Sequence, residues 1–162
     1  MIVVSDTTPL NYLVLIDAVD VLAKLFREVY APHAVLDELT HPKAPEAVRR
    51  WAQSPPAWLK VADPAAQLPS TAALDRGEAD AISLAKELHI TDILIDERRG
   101  RKVAEREGLV PLPTLALLER AAKEGFVELP EVLERIQRTS IRLPPEQVRA
   151  ALERDAQRKR GT

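Results

Sequence analysis

Short apolar runs that break into a turn and then a helical pattern recur along this chain, and that alternation constrains its fold more than any other feature. The first run is Ile2-Val3-Val4. It ends in the polar turn Ser5-Asp6-Thr7-Thr8-Pro9, with Thr8 placed to cap a helix and Pro9 to occupy its first position. Further runs stand at residues 29–31, stopped by Pro32, and at 59–61, 93–95 and 110–112. Between them the apolar spacing is helical: 10–16 and 21–25 with a break at 17–20, then 33–40, 46–53, 77–88 and 100–107, the last stopped by Gly108. Residues 62–76, rich in Pro, Ala, Ser and Asp, read as a loop with a helical turn at 71–74. After residue 112 only helices are expected, at 115–124, at 129–138 and from Pro144-Pro145 into a polar tail. Strands separated by helices pair in parallel, and a parallel sheet needs helices on both faces. The expected fold is an α/β three-layer sandwich with a mostly parallel central sheet, followed by C-terminal helices.

The chain is 162 residues long and 46% hydrophobic, enough for one core of ordinary size. None of its apolar stretches approaches the roughly 20 residues of a bilayer span, which excludes a membrane-spanning role. Asp6 interrupts the only N-terminal run that could begin a secretory signal, so a cytoplasmic protein is expected. Cysteine is absent, which removes disulfides, thiolate zinc sites and cysteine nucleophiles; a metal would have to be held by oxygen or histidine. His33, His41 and His89 share no metal-ligand spacing and are expected at surface or helix-end positions. A net charge of -2 excludes a protein coated in positive charge, as many duplex-binding proteins are, and leaves room for a local basic patch.

Asp6 and Asp96 each follow an apolar strand, so in a parallel sheet both carboxylates emerge at the carboxyl edge, where α/β folds gather functional groups. The ordinary alternative is that each caps the following helix. In the helix at 78–88 each residue advances about 100°, and Ala81, Ile82, Leu84, Ala85 and Leu88 mark its buried face. Glu78 lies near that face, whereas Asp80 points away from it, toward Ser83 and Glu87. A carboxylate turned toward the core is costly unless something pairs with it, and a divalent cation is one such partner; helix-dipole stabilisation in the first turn is the competing explanation. Asp80 is placed at the rim of the same site, because a first turn can splay both groups toward one ion. Glu38 repeats the pattern between Val35 and Leu39, with Asp37 on the other face; its alternative is an exposed Glu whose stem covers apolar surface. Acids on separate elements, Asp6, Glu38, Glu78 and Asp96, are easier to explain together than one by one.

Ile2-Val3-Val4-Ser5-Asp6-Thr7-Thr8-Pro9-Leu10, the segment 32–38, Gly77-Glu78-Ala79-Asp80-Ala81-Ile82 and Leu94-Ile95-Asp96-Glu97-Arg98 resemble the successive acidic motifs of the PIN domain, in order and in spacing. PIN domains are metal-dependent ribonucleases that include the toxins of many prokaryotic toxin–antitoxin pairs, and the Gly-Glu-Ala-Asp-Ala run is also similar to one in flap endonucleases. The resemblance covers residues 1–125 as a PIN-like domain. It leaves 126–154 as a C-terminal helical extension, packed on that domain or at a dimer interface, and 155–162 as a polar tail. Where the commoner toxin form carries Asp-Phe after its last Asp, this chain has Glu97-Arg98, and residues 95–104 resemble a prokaryotic PIN-like subgroup with such an extension. The resemblance implies a PIN-like fold and hydrolysis of RNA phosphodiesters by metal-activated water, with Mg²⁺ or Mn²⁺ held by Asp6, Glu38, Glu78 and Asp96. It also implies Asp80 as a fifth catalytic acid and Thr8 as the hydroxyl that orients Asp6 or the water. The chemistry agrees, since hard cations choose carboxylate oxygen, offset the charge of a phosphodiester and acidify bound water.

Arg98, Arg99, Arg101 and Lys102 lie beside Asp96 and are placed to grip RNA phosphates, with an ordinary solvated helix as the alternative because Glu97, Glu105 and Glu107 are interspersed. Asn11, one turn into the first helix, is a candidate hydrogen-bond partner for Asp6 or a nucleotide. Leu129, Val132, Leu133 and Ile136, with Ile141 and Leu143, form an apolar stripe that either completes a homodimer or folds back on its own domain. The expected partners are single-stranded or structured RNA, an antitoxin protein in the toxin setting, and a second copy of the chain. Two readings from different classes stay open: a metal-dependent endoribonuclease, and a weakly active or inactive PIN-like module that binds RNA or protein.

Overall fold

The computed structural model describes residues 1–161. Among them, strands β1 (Ile2–Ser5), β2 (Glu28–Ala31), β3 (Leu59–Val61), β4 (Asp92–Leu94) and β5 (Val110–Leu112) form one sheet in the order β3-β2-β1-β4-β5. Every pairing is parallel. The helices are α1 (Thr7–Leu15), α2 (Val21–Leu25), α3 (His33–Leu39), α4 (Glu46–Gln53), α5 (Arg76–Glu87), α6 (Arg98–Arg106), α7 (Thr114–Lys123), α8 (Leu129–Gln137) and α9 (Pro145–Arg160). The expected α/β sandwich with a parallel sheet and C-terminal helices is the fold observed.

Strand residues alternate between two cores, as the two-residue period of a strand requires. Val3, Val29, Ala31 and Leu94 face a large core shared with Leu10, Leu13, Val35 and Val48 and with α7 to α9. Val4, Ile93 and Ile95 face a smaller core with Ile82, Leu84, Ala85 and Val103 from α5 and α6. The sheet is therefore the middle of three layers. Trp51 and Trp58 pack against the large core with their rings tilted 48° to each other and centroids 6.2 Å apart.

Several boundaries move, each for a physical reason. Thr8 and Pro9 do not start the first helix: it begins at Thr7, with Asp6 in the N-cap position and Pro9 buried inside the first turn. Asp6 still donates its N–H to the Leu94 carbonyl at 2.9 Å, so the chain leaves the sheet only after that bond and turns at once. Pro9 is accommodated because the first N–H groups of a helix have no intrahelical partner. The helical turn in the long loop lies at Pro69–Thr71 rather than at 71–74.

The C-terminal region differs more. The apolar stripe folds back on its own chain: Leu129, Val132, Leu133, Ile136 and Ile141 are buried in the large core and Leu143 packs against it. Of the two arrangements open for the stripe, it is the fold-back on its own domain that is observed. The polar tail from Asp155 is helical through Arg160, because its charges find partners: Arg158 and Lys159 pair with Asp155, and Lys159 also reaches Glu128 at 2.9 Å. One turn earlier, Arg154 forks onto Glu119 of α7 at 2.8 and 3.0 Å. No helix among the described residues is long and apolar enough to cross a membrane.

Candidate active site

The strand order reverses direction at β1, whose neighbours are β2 on one side and β4 on the other, and ligands of open α/β sheets bind outside the carboxyl ends of strands at such a point. Ser5 is in register with Leu94, so Asp6 and Asp96 leave adjacent strands at the same edge. Asp6 is only 4% exposed.

Glu38 and Glu78 are brought to this edge by α3 and α5. Gly77, in the first turn of α5, is what permits the approach. A Cβ there would collide with Glu38 Oε1 and stand 3.3 Å from Thr7 Oγ1 and 3.4 Å from Asp6 Oδ1. Glu38 is exposed along its stem, with its carboxylate turned in over Gly77. Glu78 is 5% exposed, and α6 closes on it through Gly100, where a Cβ would lie 2.5 Å from Glu78 Oε2 and 2.6 Å from Ile95 Cδ1. Glu78 Oε2 is buried with no hydrogen-bond partner among the described residues.

The electrostatics follow from this crowding. Burial, and then the charges of Asp75, Glu38 and Asp96, push the Asp6 carboxyl up to about 7 against the opposing N–H of Thr7. Burial, then Asp75 and Asp6, raise Glu78 to about 8. Glu38 is raised by burial and by Asp75, with the Thr7 hydroxyl and the Gly77 N–H acting the other way. Asp96 is raised by burial, while Thr114 and Arg101 pull it down. Thr114 N–H donates to Asp96 Oδ1 at 3.0 Å and Thr114 Oγ1 to Oδ2 at 2.6 Å, so both carboxylate oxygens are fixed from the start of α7. Among the described residues neither Asp6, Glu38 nor Glu78 closes an ion pair.

Asp80 lies elsewhere. Instead of pointing outward it is 8% exposed, because the loop before α5 folds over it: Gln67 Nε2 donates to Asp80 Oδ1 at 2.8 Å, and Leu68 N–H to Ser83 Oγ at 2.9 Å. Arg76 Nε stands 3.9 Å from its other oxygen. Thr8 lines a cleft on the Asp96 side together with Tyr12, Arg98 and Arg101, whereas Thr7 is the hydroxyl placed against Glu38. Arg99 and Lys102 are exposed on α6 and do not line that cleft. Asn11 makes no bond to Asp6; its Oδ1 is buried without a partner among the described residues. His33 and His41 bond Asp63 and the Lys43 N–H at exposed positions, and His89 takes a left-handed φ of 56° just after α5.

Sequence reasoning did not single out Asp75 or Thr114. Asp75 caps α5, accepting the Glu78 N–H at 2.8 Å, and its charge acts on Asp6, Glu38 and Glu78. Its signal was present, since Asp75-Arg76-Gly77-Glu78 has the spacing of a capping box. Thr114 had no comparable local signal, because its contact with Asp96 spans 18 residues and exists only in the folded chain.

A parallel α/β sandwich with coupled carboxylates at its switch point defines a class of protein, and the family is narrower still. A family model described as a PIN domain matches residues 2–157, and the chain belongs to that family, whose fold is of nuclease type. The match runs from β1 through most of α9. No curated protein and no solved structure matches the chain.

Proposed function

We propose that this protein is a metal-dependent endoribonuclease that hydrolyses phosphodiesters of single-stranded or structured RNA. The observation that carries the reading is the pair Asp6 and Glu78: both nearly fully buried, both raised toward neutrality, and one with a carboxylate oxygen that has no hydrogen-bond partner among the described residues. Such a charge deficit is filled from outside, and the donors are all oxygens, which suits Mg²⁺ or Mn²⁺. Asp6, Glu38, Glu78 and Asp96 would hold the ion. Bound there, it would offset the negative charge of the phosphodiester and acidify water. The chain's own contribution is orientation: Thr114 locks Asp96, Gly77 lets Glu38 and Asp6 converge, and Asp75 holds the first turn of α5 so that Glu78 faces inward.

One observation favours a second reading. Among the described residues no group of three or more acids or histidines is close enough to enclose a metal ion as it stands, as would suit a module that binds RNA or protein with little activity. Incubating the protein with single-stranded RNA separates the two. Cleavage in Mg²⁺ or Mn²⁺ that is abolished by EDTA and by Asp96→Asn supports the nuclease; RNA binding without cleavage across a broad panel of sequences supports the module. In the toxin setting an antitoxin is the partner, and a small DNA-binding protein encoded directly upstream would support it. A second copy of the chain is the remaining partner, and light scattering reads it against the 18.0 kDa monomer.

A further inference from the structure

The carboxylates account for only one side of Asp96. On its other side lies a cleft of about 350 Å³ whose walls come from distant parts of the chain: Tyr12 of α1, Arg98 and Arg101 of α6, and Arg142 and Gln147 from the α8–α9 connection and the start of α9. We propose that this cleft holds the nucleotide adjoining the scissile phosphate of a single-stranded RNA, its phosphate on Arg98, Arg101 and Arg142 and its base against Tyr12. The C-terminal region is then part of the substrate site as well as part of the core. This inference rests on the nuclease reading.

Three features carry it. The first is continuity: Asp96 lines the cleft and leaves the sheet beside Asp6 at the same edge, so a strand with one phosphate at the acids runs its neighbour into the cleft. The second is the state of the arginines. Arg50, Arg135, Arg138, Arg154 and Arg158 are each committed to a carboxylate, while other arginines, Arg27, Arg49 and Arg149 among them, are not among the described residues; what sets the cleft apart is that three uncommitted guanidinium groups converge on one cavity. Arg98, Arg101 and Arg142 form no ion pair among the described residues. Arg101 Nε is buried without a partner, and Arg142 spends only Nη1, on the Thr139 and Ile141 carbonyls at 3.1 and 3.0 Å. Those two bonds hold the side chain in place and leave the rest of a planar donor fork, the geometry that suits phosphate. The third is size and lining. Pockets for small ligands run from roughly 300 Å³ upward, so this cleft takes one nucleotide and excludes a duplex, and the half-buried Tyr12 offers the aromatic face on which unpaired bases stack.

The experiment measures binding of a fluorescent single-stranded RNA heptamer to the full chain in Ca²⁺, whose loose coordination suits binding rather than hydrolysis, at several salt concentrations, beside cleavage of the same strand in Mg²⁺. Arg142→Ala is expected to weaken binding about tenfold and to lower the slope of log Kd against log salt by about one, with KM rising and kcat little changed. Arg142→Lys should keep the slope, which a residue that merely caps carbonyls would not explain. Tyr12→Ala is expected to weaken binding about tenfold while Tyr12→Phe stays within about twofold, because stacking needs the ring and not the hydroxyl. If Arg142→Ala does not fold by circular dichroism, Arg142→Gln takes its place and must lose the slope that Lys retains. Wild-type binding and cleavage together with an unchanged Kd and slope in Arg142→Ala would overturn the cleft and leave the nuclease standing. RNA neither bound nor cleaved by the wild type overturns both.

Discussion

Asp155 on α9 and Asp6 at the end of β1 are similarly shielded from solvent, 6% and 4% exposed, Asp6 deep at the sheet edge and Asp155 beneath its own cationic partners, and the protein treats their charges in opposite ways. Asp155 brings its cations with it on the next helical turn: Arg158 Nη2 donates to Oδ1 at 2.6 Å and Lys159 Nζ stands 3.0 Å from Oδ2. Burial pushes the Asp155 carboxyl up, but the Lys159 and Arg158 contacts outweigh it and hold it below the usual range. Around Asp6 the neighbouring charges are further carboxylates, and each adds to the effect of burial. An acid that serves the fold arrives with its partner encoded three or four residues away. On the proposed function, an acid that serves chemistry is left short of positive charge, and the shortfall is where a cation would bind.

The largest effect expected from this contrast is on catalysis. Glu78→Gln and Asp6→Asn should each lower metal-dependent RNA cleavage by about 10³-fold, since each removes a charge from the centre that opposes phosphate repulsion. Asp155→Asn should leave the rate within about twofold. Asp80→Asn should fall between them and nearer to Asp155, because Asp80 faces Gln67 and Arg76 and not the other acids. Initial rates at saturating Mn²⁺ decide it. An Asp155→Asn loss as deep as that of Glu78→Gln would erase the distinction between the two regions.

Local sequence pattern carried the parts of this site that depend on one element at a time. The strand ends at Asp6 and Asp96 were visible as apolar runs meeting an acid, and Glu78 as an acid near the apolar face of a periodic helix. What stayed hidden depends on how elements meet. The direction of Asp80 could not be read from the wheel, because a loop that has no periodicity covers the face that the wheel left to solvent. The tail after residue 154 reads as polar, and a helix with so few apolar positions is held by ion pairs to α7 and α8 that no local rule reports. The stripe at 129–143 was legible as apolar, but periodicity cannot say whether such a face covers its own sheet or a neighbour's; here the large core takes it.

The second effect is on stability and has a definite sign in pH. The Asp6 carboxyl stands at 3.8 in the unfolded chain and at about 7 in the folded one. Between about pH 4 and pH 7 the unfolded chain has released this proton while the folded chain keeps it, so metal-free stability falls as pH rises and levels off above that window. The Asp6 shift corresponds to about 4 kcal/mol, or roughly 8–16 °C in Tm for a domain of this size. Thermal melts in EDTA should therefore show a Tm that declines from pH 4 to pH 8. Asp6→Asn should flatten the decline and exceed the wild type at pH 8, and Mg²⁺ should raise the wild-type Tm but not that of the variant. An undiminished slope in Asp6→Asn would mean that the acid cluster is not strained.

A smaller effect is expected at Thr114, which is fully buried and hydrogen-bonded to Asp96. Thr114→Val preserves shape but removes the 2.6 Å hydrogen bond, so the Asp96 carboxyl rises further and loses its fixed orientation. Cleavage should fall by about tenfold, more at pH 6 than at pH 8, and Thr114→Ser should restore most of it. A loss that is uniform in pH and not rescued by serine would assign Thr114 to packing alone.

The smallest effect returns to Asp155, where the sign of the pH dependence reverses. Its folded-state carboxyl is lowered, so it contributes stability above the ordinary range of an aspartate, and that contribution is lost as pH falls through the folded value. Its partners Arg158 and Lys159 are a third or more exposed, so solvent screens the attraction and Asp155→Asn should cost only about 1 kcal/mol at neutral pH. The loss should shrink in high salt and vanish under acid conditions, where the wild type is protonated too. Tm measured from pH 7 downward, with and without 1 M NaCl, tests this: the deficit of Asp155→Asn should be greatest at pH 7 and low salt and shrink as pH falls through the wild type's titration. A variant that melted higher than the wild type at pH 7 would place Asp155 with Asp6 among the acids that lack a counter-charge, and α9 would then need a ligand of its own.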